Sequence, residues 1–148
     1  MHGSLLALLL QAWTPVSGTV ALEHLELDVP PGFALQKVAG PDYSVYTLRS
    51  PMGGSGLGVF FGRQPQTFAP RKGVRQEPAH IGRKKLAWSL WQTEEKGVAT
   101  LHAEVLAVRP FGREPDYATH LHVFIEARSE EMLKNLQAIA ETLRAPGK

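Results

Sequence analysis

LHAEVLAV (Leu101 to Val108) and THLHVFIEAR (Thr119 to Arg128) alternate apolar and polar residues with period 2, and the residues after Ser129 switch to period 3.6. A period of 2 sends successive side chains to opposite faces of a strand, whereas 3.6 lays them along one stripe of a helix. The stretch therefore reads as two antiparallel strands running into a closing helix. Leu101, Ala103, Val105 and Ala107 match Leu121, Val123, Ile125 and Ala127 as one apolar face, while His102, Glu104, His120, His122 and Glu126 fall on the other. Ser129 suits a helix N-cap, Glu130 and Glu131 suit the positive end of the helix dipole, and Met132, Leu136, Ile139, Ala140 and Leu143 form the apolar stripe. Pro146 and Gly147 end it. The fold class expected is α+β, an antiparallel sheet of about six to seven strands with a C-terminal helix packed on one face.

Upstream, short strand patterns alternate with turn signals. KLAWSLWQ (Lys85 to Gln92) alternates around Leu86, Trp88 and Leu90, with Thr93 to Gly97 as the turn into Val98. Trp88 and Trp91, three apart, face opposite sides of such a strand, so both sides of the sheet need cover. Towards the N-terminus, LEHLELDV (Leu22 to Val29), FALQKV (Phe33 to Val38), YSVYTLRS (Tyr43 to Ser50) and GLGVFFGR (Gly56 to Arg63) are separated by Pro30-Pro31-Gly32, Ala39 to Asp42 and Pro51 to Gly54. The glycines around 53–62 lack the following Lys-Ser/Thr and helix period of a phosphate loop, and fit a bulge or close strand contact. Gln64 to Pro78 has no periodicity, and reads as a long surface loop.

The totals describe one domain, expected over residues 22–148, because 148 residues fit a single core. Hydrophobic residues at 43% and charged residues at 20% argue against wholesale disorder. With no cysteine, disulfides, thiolate metal sites and a cysteine nucleophile are excluded. SLLALLLQAW (Ser4 to Trp13) is long enough for the apolar core of a signal peptide but too short to cross a hydrocarbon layer of about 30 Å. Residues 1–21 are thus read as a signal peptide or N-terminal apolar segment, with cleavage expected to leave a mature chain starting between 17 and 23. A periplasmic or secreted location follows, and no transmembrane segment is expected.

The histidines are the first candidates for chemistry, since neutral imidazole is a common metal ligand. In a register that sets His102 opposite His122 and Glu104 opposite His120, four ligand types would share one sheet face with Cβ atoms about 5 Å apart, a set suited to Zn²⁺ or Fe²⁺. The bland alternative is a polar, solvated face, and no metal or other cofactor is expected. Arg63, Arg71, Lys72, Arg75, Arg83, Lys84 and Lys85 form a basic region fit for an anionic surface, but a net charge of +2 and sparse interleaved aromatics argue against nucleic acid. A Gly-x-Ser-x-Gly elbow and a His-Glu-x-x-His helix are both absent from the sequence, so no catalytic residues are assigned.

The P-x-G-F strand entry at Pro30 to Phe33, the Pro-Asp-Tyr-x-Val-Tyr strand at 41–46, the glycine-flanked Val59-Phe60-Phe61 strand, the long loop and the closing strand and helix resemble, in layout, the PsbP-like group of small α/β/α proteins. That resemblance implies a non-catalytic accessory or binding protein. The function expected is therefore a bacterial envelope protein that binds a protein partner, as an accessory subunit or a toxin-neutralising protein. Trp88, Trp91, Phe61, Arg71, Lys72 and Arg75 are its candidate partner contacts; the rival is a metal-binding protein using the histidine face.

Overall fold

Pairing in the last third follows the alternation of the sequence and extends it into one sheet. The computed structural model describes residues 13–63 and 74–147. Its strands are β1 (Thr14–Leu22), β2 (Leu25–Ala39), β3 (Tyr43–Arg49), β4 (Gly56–Gly62), β5 (Arg75–Ala79), β6 (Leu86–Glu95), β7 (Val98–Val108) and β8 (His120–Ala127), closed by helix α1 (Glu130–Ala140). All neighbours pair antiparallel, in the spatial order β1-β2-β3-β4-β8-β7-β6-β5. The class is α+β, as expected, but among the described residues the sheet has eight strands where six to seven were read.

Three local features account for the difference. Leu22 to Val29 and Phe33 to Val38 belong to one long strand, β2, which runs through Pro30-Pro31-Gly32. Thr14–Leu22, all but its last residue read as part of the leader or N-terminal apolar segment, forms edge strand β1, so the expected cleavage window falls on a paired strand with Val20 and Leu22 buried. β5, which carries Arg75, begins inside the segment read as a loop from Gln64 to Pro78 and ends one residue beyond it.

The two prolines fall where β1 and β2 lose register, between Val16↔Phe33 and Gly18↔Val29. Their missing N–H groups therefore interrupt no regular ladder, and Gly32 (φ 96) supplies the bend. The bend is sharp. Glu23 at the hairpin tip accepts hydrogen bonds from Ser44 Oγ at 2.8 Å and Tyr46 Oη at 3.0 Å, and Lys37 Nζ lies 3.0 Å from it. A straight strand from residue 23 to 37 would hold those groups roughly 45 Å apart. The β1–β2 hairpin thus folds back over β3, onto the face that the helix also covers. Glu26 and Arg144 exchange backbone hydrogen bonds at 2.9 and 3.0 Å and lock the segment after the helix to the same hairpin.

On that face the core unites Leu22, Leu27, Val59, Val123, Ile125 and Leu136. Ser129 caps α1 as read, its Oγ accepting from the Met132 N–H at 3.1 Å. Leu133 joins Leu136, Ile139, Ala140 and Leu143 in the buried stripe, and Met132 lies at its margin. The helix stops at Ala140, well before Pro146, because the chain turns there to reach Glu26. Among the described residues no helix is long and apolar enough to cross a membrane. On the opposite face Gly58 lies beneath Phe124, where a Cβ would stand 2.1 Å from the ring, so this glycine serves close strand contact.

Candidate binding face

The face away from the helix carries the sequence-derived ligand set, and the pairing register decides what it can do. Leu101 pairs with Ala127, which sets His102 against Glu126, Glu104 against Phe124, and His120 against Val108. The register assumed from sequence, His102 opposite His122 and Glu104 opposite His120, is therefore wrong. It failed because alternation fixes which face a residue takes but leaves even-numbered slips open. Each histidine has its own neighbour. His102 stacks on Trp91, with centroids 5.1 Å apart and planes 3° from parallel, and its Nε2 is 2.8 Å from Thr93 Oγ1. His120 Nδ1 lies 3.1 Å from Thr119 Oγ1. His122 Nε2 meets Glu104 Oε1 at 2.9 Å, a diagonal contact that survives the slip.

Among the described residues no group of three His, Cys, Asp or Glu side chains is placed to hold a metal ion. Adding Zn²⁺ to chelator-treated protein is therefore expected to leave the thermal midpoint unchanged. A bound ion would add about 2.7 kcal/mol at a concentration 100 times its dissociation constant, so an upward shift abolished by His102→Ala or His120→Ala contradicts this.

The aromatic candidates divide between the two faces, as their spacing required. Trp88 points to the helix side, where its Nε1 donates to Glu141 Oε2 at 3.0 Å and the His80 N–H donates to the same oxygen at 3.0 Å. Phe61, also on that side, stacks against Tyr46 at 5.8 Å. Both are 1% exposed and Trp91 is 9% exposed, so these three rings are committed to packing and are not exposed anchors. Arg75 is exposed on β5; Arg71 and Lys72 lie outside the described residues.

What the sequence reading missed lies at one end of the open face. Register places Val38, Val45, Phe60, His122 and Leu106 in one line across five neighbouring strands, and Tyr43, Gly62, His120 and Val108 in the adjacent line. Tyr43 stacks on Phe60 at 5.9 Å. Phe60 and His122 are buried, but Val38 and Tyr43 are each 40% exposed and Val108 48%. The result is an apolar strip across the sheet, exposed towards its two ends, with charges of both signs beside it: Lys84 Nζ donates to the Val108 carbonyl, Arg63 follows Gly62, Asp42 precedes Tyr43, and Arg109, next to Val108, is paired with Asp116 at 3.1 Å. Exposed apolar side chains brought to one end of a sheet face point to an interaction site more than the same side chains scattered singly. Pairwise register, not composition, brings these residues together, so only a correct set of strand partners could have revealed the strip.

Two histidines, His122 and His24, are expected to make the domain acid-sensitive. Burial pushes His122 below its ordinary value near 6.5, opposed by its hydrogen bond to Glu104. His24, at the hairpin tip and edge-on to Phe61 at 4.7 Å, is also pushed down by burial, opposed by Glu114 and Glu23. A histidine whose folded value is depressed binds fewer protons folded than unfolded. Its stabilising contribution is whole above the ordinary value and is lost as the pH falls below it. The urea midpoint is expected to drop between about pH 7 and pH 5, with a shallower drop in His24→Phe; a midpoint flat across that window would contradict the placement of both rings.

No protein-family model matches the chain, and no curated protein or solved structure matches it.

Proposed function

We propose that this chain is an exported bacterial envelope protein that works by binding a protein partner, as an accessory subunit or a toxin-neutralising protein, through the apolar strip on the open sheet face. The observation that carries the reading is the exposure of Val38, Tyr43 and Val108 at one end of that face, on two lines of residues that cross the sheet from β2 to β7. Exposed apolar side chains scattered singly are ordinary, but these belong to two adjacent lines, the first of which also holds half-buried Val45 and Leu106. The PsbP-like layout agrees with an accessory or binding role and supports nothing finer. Export belongs to the same proposal, with processing upstream of Thr14, so that β1 stays whole.

Affinity capture from the envelope fraction of the native host tests it. The wild-type chain should retain one protein that Tyr43→Asp and Val108→Asp each fail to retain, while Lys134→Ala on the solvent side of the helix keeps it. Equal capture by all four chains, or capture of nothing by the wild type, contradicts the reading.

A further inference from the structure

The two edges of the sheet are not equivalent. At β5, Pro78 lacks an N–H, the next amide beyond the strand, that of His80, is taken by Glu141, and Arg75 and Glu77 are charged. These are the devices that stop an edge from pairing with another strand. At the other edge, β1 reads TPVSGTVAL, with no charged residue and no proline after position 15.

The direction of the β1 amides follows from the hairpin. Leu22 and Leu25 flank the two-residue turn at Glu23-His24, so hydrogen-bonded and non-bonded pairs alternate from there. Glu26 and Asp28 turn their backbone groups away from β1: Glu26 exchanges hydrogen bonds with Arg144, and the Asp28 N–H donates to Thr142 Oγ1 at 2.8 Å. Their partners Ala21 and Thr19 must by the same alternation turn theirs away from β2. Both residues are exposed, and among the described residues no acceptor meets their N–H groups.

We propose that β1 pairs antiparallel with β1 of a second copy of this chain, about a two-fold axis at Val20, to join two sheets into one. Ala21 of each copy then lies opposite Thr19 of the other, in two hydrogen-bonded pairs that use the outward groups just identified. An uncharged strand can face itself without like-charge repulsion, which a self-pairing interface requires. Because β5 is blunted, the assembly closes at a dimer and does not extend into a fibre.

Sedimentation equilibrium on the full chain, from micromolar to millimolar protein, provides the test. Wild type is expected to shift from one to two chain masses. Ala21→Pro, which removes an outward N–H but no β1–β2 bond, and Ala21→Lys, which puts a charge on each side of the axis, should both stay monomeric with unchanged circular dichroism. As the chain has no cysteine, Val20→Cys reports the register directly. Opposed non-bonded pairs bring Cα atoms within disulfide range, so mild oxidation should link Val20→Cys copies and leave Thr19→Cys unlinked. A wild type that remains monomeric, a dimer indifferent to both Ala21 variants, or linkage through Thr19→Cys in place of Val20→Cys overturns the proposal.

Discussion

Leu136→Ala is expected to lower the free energy of unfolding by about 2–5 kcal/mol, the range for deleting a buried leucine from a core that relaxes only in part. Leu136 is 0% exposed and belongs to the cluster that joins α1 to the sheet and to the folded-back β1–β2 hairpin. Three elements meet around it, so the cavity left by the substitution cannot be closed by moving one of them. Lys134, exposed on the far side of the same helix, is the control, and Lys134→Ala should stay within about 0.5 kcal/mol of wild type. Urea unfolding of the three chains side by side is the measurement. Equal losses in the two variants would mean that a different face of the helix meets the sheet.

Trp88→Ala is expected to cost about 3–5 kcal/mol, since the ring is almost wholly buried and its removal opens a large void between β6 and the helix end. Part of that cost is polar. Glu141 Oε2 accepts from both Trp88 Nε1 and the His80 N–H, so one carboxylate ties the helix C-terminus to β6 and to the segment after β5. Trp88→Phe keeps most of the apolar contact but drops the donor, and should cost about 1–3 kcal/mol. Glu141→Gln retains an acceptor and should cost less than Glu141→Ala, which orphans both donors. If Trp88→Phe proves neutral, the hydrogen bond to Glu141 contributes nothing and the tryptophan acts by volume alone.

How far the sequence carried depends on the kind of signal at each residue. The two faces of β7 and β8 were legible residue by residue, because alternation is a local property and burial enforces it. Ser129 was legible as a cap for the same reason: its hydroxyl meets an N–H three residues away. The register between β7 and β8 was not, since a loop from Arg109 to Thr119 joins them and both registers bury the same apolar residues. The histidine cluster dissolved with it. Pro30-Pro31-Gly32 misled in another way: the turn chemistry was real, but its consequence is a bend in a strand whose neighbour β1 bends with it at Gly18 (φ 79). β1 itself was hidden because TPVSGTVAL follows an apolar leader-like run and has too little alternation to compete with that reading. Tyr43 and Phe60 stood out in the sequence only as two of several aromatics too many for one face, while Val38 and Val108 are far from them in the chain and each alone is ordinary surface.

Site-specific photo-cross-linking in the native host tests the binding face most directly. A photoreactive side chain at Val108 should join the domain to one defined protein, and the adduct should vanish when Tyr43→Asp is added in the same chain. The same group at Lys134, on the solvent side of α1, should give no such adduct. Adducts of equal yield at both positions, or none at Val108, would contradict a partner-binding role for the open face of the sheet.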